Sequence, residues 1–250
     1  MGQPLVSIVT VVYNAVDGIE KTITSILSQI TDSVTIEYWI IDGGSTDGTL
    51  EIIDRYSDCL NYISTPDKGI YDAMNKGLEC SKGSWVLFMN AGDVFLNSST
   101  VDGVFSQTEF FEADVVYGNC IVDYGTTEKV RAAGDVQKLW KGSCFSHQSA
   151  FIDLSYHKLH PYNINNRIAA DFEFFYKLFL AGGRFIKTDK IIGVVTAGGV
   201  SDINRVDAMV AWWNCVNKSN GVNFYYIKII LLEMLKGFVK NVIRRMRRKI

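Results

Sequence analysis

Residues 5–14, LVSIVTVVYN, decide the fold of this chain. They form a nearly continuous run of apolar and β-branched residues that ends at the polar Asn14. Such a run is typical of a strand that is covered on both faces, as in a parallel sheet. Asp17 and Glu20 follow at the spacing of a helix-capping pair, and apolar residues then recur at helical spacing up to Ile30. The segment therefore predicts a β-strand followed by a helix.

Strand-like and helical segments continue to alternate as far as Asp93. Short apolar strands are predicted at residues 36–42, 60–63 and 85–89, and the segments that follow them have helical or loop patterns. Consecutive parallel strands need a crossover connection, which is usually a helix. The alternation predicts an α/β fold, a single Rossmann-like domain in which helices flank a mostly parallel central sheet.

The pattern becomes less regular after Asp93. The predicted elements are a helix at residues 100–111, strands at 114–117, 121–124, 129–132, 185–187 and 191–196, and a Phe-rich helix at 172–180. Everything beyond Asn204 has a helical pattern. We therefore expect a main domain over residues 1–203 and a helical C-terminal extension over residues 204–250.

Charge is distributed unevenly along the 250 residues. Residues 224–250 contain eight cations and one anion, for a net charge of +7, so the rest of the chain, with 17 cations and 26 anions, carries −9. The overall charge of −2 argues against a protein that binds nucleic acid over its whole surface. The basic C-terminal end is expected to meet an anionic surface.

Cysteine spacing and the N-terminal sequence indicate a cellular compartment. The five cysteines include no C-x-x-C pair, which disfavours both a disulfide framework and a zinc site. No basic and apolar secretory signal precedes the first strand. No apolar run reaches the roughly 20 residues that a membrane-spanning helix requires. These features predict a cytoplasmic protein that does not cross the membrane.

Four of the predicted strands end in polar residues. In an open parallel sheet, ligands bind beyond the carboxyl ends of the strands. The polar ends are Tyr13-Asn14, Asp42-Gly43-Gly44-Ser45, Asp67-Lys68-Gly69 and Asn90-Ala91-Gly92-Asp93. We expect these residues to surround one crevice.

Two common nucleotide-binding motifs are missing. Residues 43–49 resemble a phosphate-binding loop, but Thr49 stands where a Walker-type ATPase has lysine. No G-x-G-x-x-G follows the first strand, which disfavours a nicotinamide dinucleotide fold. Asp42 is instead placed to accept hydrogen bonds from the imide edge of a base such as uracil. Asp47 is equally suited to capping the next helix.

Several ordered motifs together carry a family resemblance. They are VSIVTVVYN at residues 6–14, IIDGGSTDGT at 40–49, DKGIYDAMNKGLECSKGSWVLFMNAGD at 67–93 and DFEF at 171–174. The chain resembles the inverting family-2 glycosyltransferases, which have the A-type nucleotide-diphospho-sugar transferase fold. Within that family it is similar to bacterial enzymes that build surface polysaccharides of the colanic acid or O-antigen type.

The resemblance implies a donor-binding rim at the first three strand ends. Its contacts to base and ribose are Thr10 and Val11 through their backbone, Tyr13 and Asp42. Asp67, Lys68 and Gly69 lie on the next loop, where Lys68 would offset the charge of the donor phosphates. The alternative for Lys68 is a solvated surface cation.

The stretch Asn90-Ala91-Gly92-Asp93 occupies the place of the family's Asp-x-Asp metal motif. The resemblance implies that Asp93 holds Mg²⁺ or Mn²⁺ and that Asn90, Ala91 and Gly92 contact the donor. A hard divalent cation takes oxygen ligands and usually keeps substrate phosphates and waters, so one protein carboxylate can suffice. Asn90 replaces the first Asp of the motif, and a plain turn is the alternative for this stretch.

The resemblance also implies a catalytic base. Asp171 corresponds to the aspartate of the family's acidic pair, although Ala170 replaces the glutamate that usually precedes it. An N-cap aspartate is the alternative. Glu173 points to a different face of the helix and is a poorer candidate. His147 would contact the diphosphate or the acceptor, or would fill a structural role.

The implied function is that of a metal-dependent, inverting glycosyltransferase. It would move one sugar from a nucleoside diphosphate sugar, expected to be a UDP-sugar, to an acceptor hydroxyl on a lipid-linked glycan. The Gln-x-x-Arg-Trp element of the processive members is missing, which favours a single transfer. One alternative is a non-catalytic sugar-nucleotide-binding or scaffold protein, and another is a nucleotidyltransferase.

The C-terminal end has the pattern of a basic amphipathic helix. Apolar residues recur at helical spacing over residues 227–242, and arginines and lysines cluster over residues 244–249. Lys228, Glu233 and Lys236 interrupt the apolar run, so the helix is expected to lie on an anionic membrane rather than cross it. This predicts a peripheral location on the inner face of the cell membrane. The alternative is a helix that docks on the main domain.

Overall fold

The computed structural model describes residues 5–106 and 112–247, with side chains as far as residue 239. Its strands are β1 (Leu5–Val12), β2 (Thr35–Asp42), β3 (Asn61–Ser64), β4 (Trp85–Phe88), β5 (Val94–Phe95), β6 (Val115–Asp123), β7 (Glu128–Arg131), β8 (Ala150–Asp153) and β9 (Phe185–Thr196). Its helices are α1 (Ile19–Leu27), α2 (Thr49–Asp54), α3 (Ile70–Cys80), α4 (Thr100–Phe105), α5 (Leu154–Leu159), α6 (Ala170–Leu180), α7 (Val200–Ile203), α8 (Arg205–Cys215) and α9 (Asn220–Arg247). Short 3₁₀ turns lie at Val136–Lys141 and His147–Ser149.

The strands form one mixed sheet, in the order β3-β2-β1-β4-β8-β6-β9-β5, with β7 paired to β6. Strands β3, β2, β1 and β4 run parallel, as the β-α alternation predicts. Strand β8 is antiparallel to both β4 and β6, whereas β9 is parallel to β6. The predicted α/β fold, with a helix-flanked central sheet and a helical C-terminal segment, is confirmed.

The register of the parallel strands brings their carboxyl ends to one edge. Val12 at the end of β1 lies opposite Asp42, and Asp42 lies opposite Ser64 at the end of β3. On the other side of β1, Phe88 at the end of β4 lies opposite Val9. The loops that follow these strands therefore leave the sheet side by side.

Both faces of the sheet are buried. Alternate residues of β1 enter two separate apolar cores, because successive side chains of a strand point to opposite faces. Val9 packs with Phe88 and Phe172 in one core, and Ile8 packs with Ile23 in the other. Burial on both faces explains why the first strand is almost continuously apolar.

The predicted capping pair at the start of α1 is wrong. The helix begins at Ile19 after Gly18 and has no side-chain cap. Glu20 instead accepts hydrogen bonds from Arg55 Nη2 at 3.1 Å and from the Tyr56 hydroxyl at 3.0 Å. The Glu20 carboxylate, which the local sequence assigns to the helix cap, thus binds residues at the end of α2 instead.

Two pairs of predicted short strands are each one strand. The predicted strands at 114–117 and 121–124 both belong to β6, and those at 185–187 and 191–196 both belong to β9. The sequence is interrupted there because the β6–β9 register shifts around Asn119, whose Nδ2 donates to the backbone oxygen of Asp189 at 2.7 Å. Such a bulge bends a strand without ending it. Helix α4 ends at Phe105, and the rest of its predicted range, residues 107–111, lies outside the described residues.

The C-terminal helices begin by packing on α6 and on the 3₁₀ turn Val136–Lys141. Tyr226 is fully buried and donates a hydrogen bond to the backbone oxygen of Trp140 at 3.0 Å, while Trp213 stacks on its ring. Beyond that turn, α9 exposes Leu231, Leu235 and other apolar side chains. Within residues 5–106 and 112–247, no helix has both the length and the apolar character needed to cross a bilayer. The boundary predicted at Asn204 stays a prediction.

Candidate active site

Tyr13, Gly43 and Asp67 converge beyond the ends of β1, β2 and β3. Tyr13 is 64% exposed, which is high for an aromatic side chain. A Cβ atom on Gly43 would overlap the Asp67 carboxylate and would lie 3.4 Å from Tyr13 Cδ2. Asp67 Oδ1 accepts a hydrogen bond from Gly69 N at 2.7 Å, which holds the carboxylate beside Gly43. The rim therefore presents an aromatic face beside bare backbone, an arrangement suited to stacking a nucleobase.

Gly43→Ala is expected to weaken donor binding by about tenfold, because the new methyl group must displace Asp67 from the rim. Calorimetry with a nucleoside diphosphate measures this change. Gly199→Ala is the matched control, since a Cβ atom there meets nothing within 4 Å. Equal donor affinity in the two variants would remove Gly43 and Asp67 from the donor site.

Asp42 lies at this edge but is fully buried. Its carboxylate accepts hydrogen bonds from Gly44 N at 2.9 Å, from Ser45 N at 3.0 Å and from the hydroxyls of Ser45 and Ser64 at 2.5 and 2.6 Å. A carboxylate has about four lone-pair sites, and these donors use them. Asp42 therefore orders the loop that follows β2, and its carboxylate has no exposed surface through which a ligand could contact it directly.

The other donor-side residues divide into buried and exposed groups. Thr10 and Val11 lie inside β1, opposite Ile40 and Ile41, and their side chains are buried. Lys68 is exposed and lines a shallow pocket with Ile70, Tyr71, Asp72, Ile164 and Arg167. The exposed position fits both a phosphate contact and the solvated alternative.

Asp93 is 4% exposed and lies in the loop that follows β4. Thr196 N donates to its Oδ1 at 2.8 Å, and Gln148 Nε2 donates to its Oδ2 at 3.0 Å. Burial raises the pKa of Asp93, and these two hydrogen bonds oppose that rise. Asp93 N also donates to the backbone oxygen of Asn90 at 3.0 Å, and Gly92 has a left-handed φ of +96°. The stretch is thus a tight turn, and the turn itself carries Asp93 into the site.

The residues around Asp93 suit a hard divalent cation that brings phosphate ligands of its own. Asn90 Oδ1 is buried without a hydrogen-bond partner, so this oxygen is available to a bound group. The Gln148 bond to Asp93 comes from a side chain, which can give way. No cluster of three or more His, Cys, Asp and Glu side chains suitable for a metal occurs among the described residues. A single protein carboxylate can hold such a cation when diphosphate and water complete the shell.

Asp171 lies in the first turn of α6, across the crevice from the strand ends. The Tyr71 hydroxyl donates to its Oδ1 at 2.8 Å, and His147 Nδ1 lies 3.3 Å from its Oδ2. Burial favours a higher pKa for Asp171, but the hydrogen bond and charge of His147 and the hydrogen bond of Tyr71 outweigh it, so its pKa lies below the usual value. The side chain keeps 20% exposure. Asp171 is therefore an ionised carboxylate within reach of a ligand.

The N-cap alternative for Asp171 is wrong, because the capping position is Ala169 and no side chain caps the helix. Glu173 does face elsewhere, as predicted: it binds Lys177 Nζ at 2.6 Å and Asn166 Nδ2 at 2.9 Å. The Asp171 carboxylate binds Tyr71 and His147 instead of capping the helix.

The histidines differ in their surroundings. His147 reaches Asp171 with Nδ1, and its Nε2 lies 3.5 Å from Asn90 Nδ2. His157 is buried, stacks on Phe174 at 4.0 Å between ring centroids, and has a pKa lowered by burial to about 4. His147 thus joins the two sides of the crevice, whereas His157 belongs to the core.

Sequence reasoning missed three residues that complete the site. Tyr71 holds Asp171, Gln148 holds Asp93 through its side chain, and Thr196 holds Asp93 through its backbone. Gln148 directly follows His147, and Tyr71 closely follows the Asp67 loop. Their closeness in sequence to predicted site residues is the one feature that indicates them. Thr196 ends a strand that is distant in sequence, and only the sheet order brings it to Asp93.

Comparison with known proteins decides the family. The family model described as glycosyl transferase family 2 matches residues 7–175. This chain belongs to glycosyltransferase family 2. A PGL/p-HBAD biosynthesis glycosyltransferase of Mycobacterium bovis is 30% identical over 185 residues, which cover 72% of this glycosyltransferase and 71% of the relative. Glycosyltransferase AglE of Haloferax volcanii is 30% identical over 125 residues, covering 48% and 41% of the two chains.

Solved structures share the fold of this glycosyltransferase. The structure of S. aureus TarS 1-349 in complex with UDP superposes with a TM-score of 0.67 at 19% identity, covering 86% of this chain and 66% of that one. Mannosyltransferase PcManGT from Pyrobaculum calidifontis, in complex with GDP-Man and Mn²⁺, superposes with a TM-score of 0.65 at 17% identity, covering 89% and 67%. This glycosyltransferase therefore spans just under two thirds of the TarS chain. The predicted family resemblance is confirmed.

Proposed function

We propose that this glycosyltransferase transfers one sugar, non-processively and with inversion, from a nucleoside diphosphate sugar to an acceptor hydroxyl. The proposed nucleotide is UDP, and the proposed acceptor is a lipid-linked glycan in bacterial surface polysaccharide synthesis. One observation carries the proposal: the turn His147–Ser149 contacts both Asp93 and Asp171, so a carboxylate suited to the donor and one suited to the acceptor face the same crevice.

Asp171 is the proposed base. Tyr71, His147 and the backbone N–H of Phe172 contact the Asp171 carboxylate, which has about four lone-pair sites, so the acceptor hydroxyl can also donate to it. As the acceptor oxygen bonds to the anomeric carbon, its proton moves to Asp171. The bond from that carbon to the diphosphate oxygen breaks at the same time, and the electron pair leaves with the diphosphate. Attack opposite the leaving group inverts the anomeric centre.

The donor is proposed to lie along the strand ends. Tyr13 stacks on the base, and the first-strand backbone around Thr10 and Val11 lies beneath the nucleoside. Asp42 orders the loop after β2 that completes this part of the rim. Asp67, Lys68 and Gly69 form the next part of the rim, where Lys68 offsets phosphate charge. Asn90, Ala91 and Gly92 line the diphosphate, with Asp93 as the residue that would hold Mg²⁺ or Mn²⁺. Such a cation supplies positive charge that stabilises the departing diphosphate.

A donor screen tests this proposal. The protein is incubated with different nucleoside diphosphate sugars and a lipid-linked sugar extract, and the released nucleotide product is measured. Release of nucleoside diphosphate together with labelled lipid supports transfer. Release of pyrophosphate indicates nucleotidyl chemistry instead. Binding of donors without any release indicates the scaffold alternative, which the replacements at Asn90 and Ala170 motivate.

Membrane attachment through α9 is a further part of the proposal. Ile227, Leu231, Leu235 and Phe238 are each about half exposed or more, so the apolar face of α9 is uncovered beyond the turn that contains Tyr226. The sequence continues with basic residues at 244–249, which lie outside the described side chains. An apolar face combined with adjacent cations favours the surface of an anionic leaflet. The active site would then be held on the inner face of the cell membrane, near lipid-linked acceptors.

A chain truncated after Met234 is expected to lose about 10²-fold or more in affinity for vesicles with anionic lipid, because each cation at the surface contributes about 1 kcal/mol. This end point keeps Tyr226 in the core and keeps the Arg205–Glu233 ion pair at 3.2 Å, whereas truncation before Phe224 would remove both. Vesicle sedimentation measures binding, with neutral vesicles and high salt as controls. Equal binding by truncated and full-length chains would contradict attachment through this helix.

A further inference from the structure

One three-residue turn reaches both proposed carboxylates. From the turn His147–Ser149, His147 contacts Asp171 at 3.3 Å and Gln148 contacts Asp93 at 3.0 Å. The turn runs directly into β8, which lies between β4 and β6 in the sheet. The His147 side chain is 14% exposed, and its two ring nitrogens lie 3.3 Å from Asp171 Oδ2 and 3.5 Å from Asn90 Nδ2.

The neighbours define which nitrogen of the His147 ring carries the hydrogen that faces Asp171. Asp171 is a carboxylate and only accepts, so Nδ1 must carry the hydrogen that points to it. Nε2 then accepts from the Asn90 amide in the neutral ring. The ring therefore bridges a residue of the donor motif and the proposed base.

We propose that His147 is a positioning residue for sugar transfer, which holds Asp171 in the rotamer that the acceptor requires and links it to Asn90 just beyond the end of β4. The inference rests on the proposed function of Asp171. Tyr71 fixes one carboxylate oxygen and His147 fixes the other, so the carboxylate cannot turn about its last bond without losing a contact. The lone pairs of Asp171 that remain free then have a fixed orientation.

The same contacts set the pH at which the rate falls on the acid side of the pH–rate profile. Within the described chain, the titratable groups that face Asp171 are His147 from the turn, Tyr71 from α3 and Tyr162 from the segment after α5. His147 is the partner that lowers the pKa of Asp171 most. Removing it lets that pKa rise, so the carboxylate becomes protonated at a higher pH than in the native protein. The acid limb of the rate profile should move upward.

Two substitutions separate positioning from direct chemistry. His147→Ala is expected to lower kcat about 10- to 100-fold, because a hydrogen bond to a charged group contributes about 1.5–3 kcal/mol. The donor KM should change less than about twofold, and the acid limb should shift upward. His147→Asn keeps an N–H donor near the Nδ1 position and should recover most of kcat. His160→Asn, which replaces an exposed histidine, is the matched control and should behave as the native protein.

A measurement independent of activity completes the test. Long-range ¹H–¹⁵N spectra of the neutral form should show His147 as the Nδ1–H tautomer, and Asp171→Asn should disturb that signal but not those of the other histidines. An Nε2–H tautomer in the native protein overturns the inference. So does a His147→Asn variant as slow as His147→Ala with an unmoved acid limb. If the native protein transfers no sugar, the proposed function fails, and the tautomer still decides the placement of His147.

Discussion

Asp171→Asn is expected to lower kcat for sugar transfer by about 10²- to 10⁴-fold while leaving donor affinity within about twofold. The amide is nearly isosteric with the carboxylate and can still accept from Tyr71 or His147, so the fold should persist. It cannot take the acceptor proton, which moves only in the transition state. Steady-state release of nucleoside diphosphate measures the rate, and calorimetry measures donor affinity.

Glu173→Gln is the matched control for Asp171→Asn. Glu173 is a carboxylate in the same helix, but it is occupied by Asn163, Asn166 and Lys177 on another face. Its replacement should leave turnover nearly unchanged. Near-native turnover in Asp171→Asn would show that another group accepts the proton.

Asp93→Asn is expected to reduce divalent-dependent donor binding by about 10²-fold or more and to abolish detectable transfer. A cation held beside a diphosphate contributes several kcal/mol, and each 1.4 kcal/mol is tenfold in affinity. An asparagine at this position still accepts from Thr196 N, so the turn should survive. Calorimetric titration of the donor with and without Mg²⁺ or Mn²⁺ measures the effect.

The control for Asp93→Asn is Asp54→Asn. Asp54 lies at the end of α2, is exposed, and binds the Tyr62 hydroxyl away from the crevice. It should retain the divalent dependence of the native protein. A folded Asp93→Asn variant with unchanged metal-dependent donor affinity would remove Asp93 from the metal site.

The strand ends of the first half were predictable because parallel strands follow a regular local pattern. Continuous apolar runs at β1, β2 and β4 identify buried parallel strands, and parallel strands necessarily end at the same edge. The position of Asp93 beside this edge followed from the same argument.

The contacts within the site were not predictable because they join distant segments. Tyr71 and Asp171 are 100 positions apart, and Thr196 and Asp93 are 103 apart. Asp42 illustrates the converse limit. The position of Asp42 at a strand end is a local property of the sequence. Its burial is not, because Ser64 from the neighbouring strand binds its carboxylate. The bulge between β6 and β9 interrupts the strand pattern of both segments, so the sequence predicts two short strands in place of each.

Measuring the released nucleotide and the transferred sugar in one reaction distinguishes inverting sugar transfer from the alternatives. The native protein is incubated with a ¹³C-labelled UDP-sugar and the lipid-linked acceptor extract, and released nucleotide and the anomeric configuration of the transferred sugar are measured by NMR. We expect one UDP to be released per sugar transferred, with the anomeric configuration inverted relative to the donor. Retention of configuration, or release of pyrophosphate in place of UDP, would contradict it.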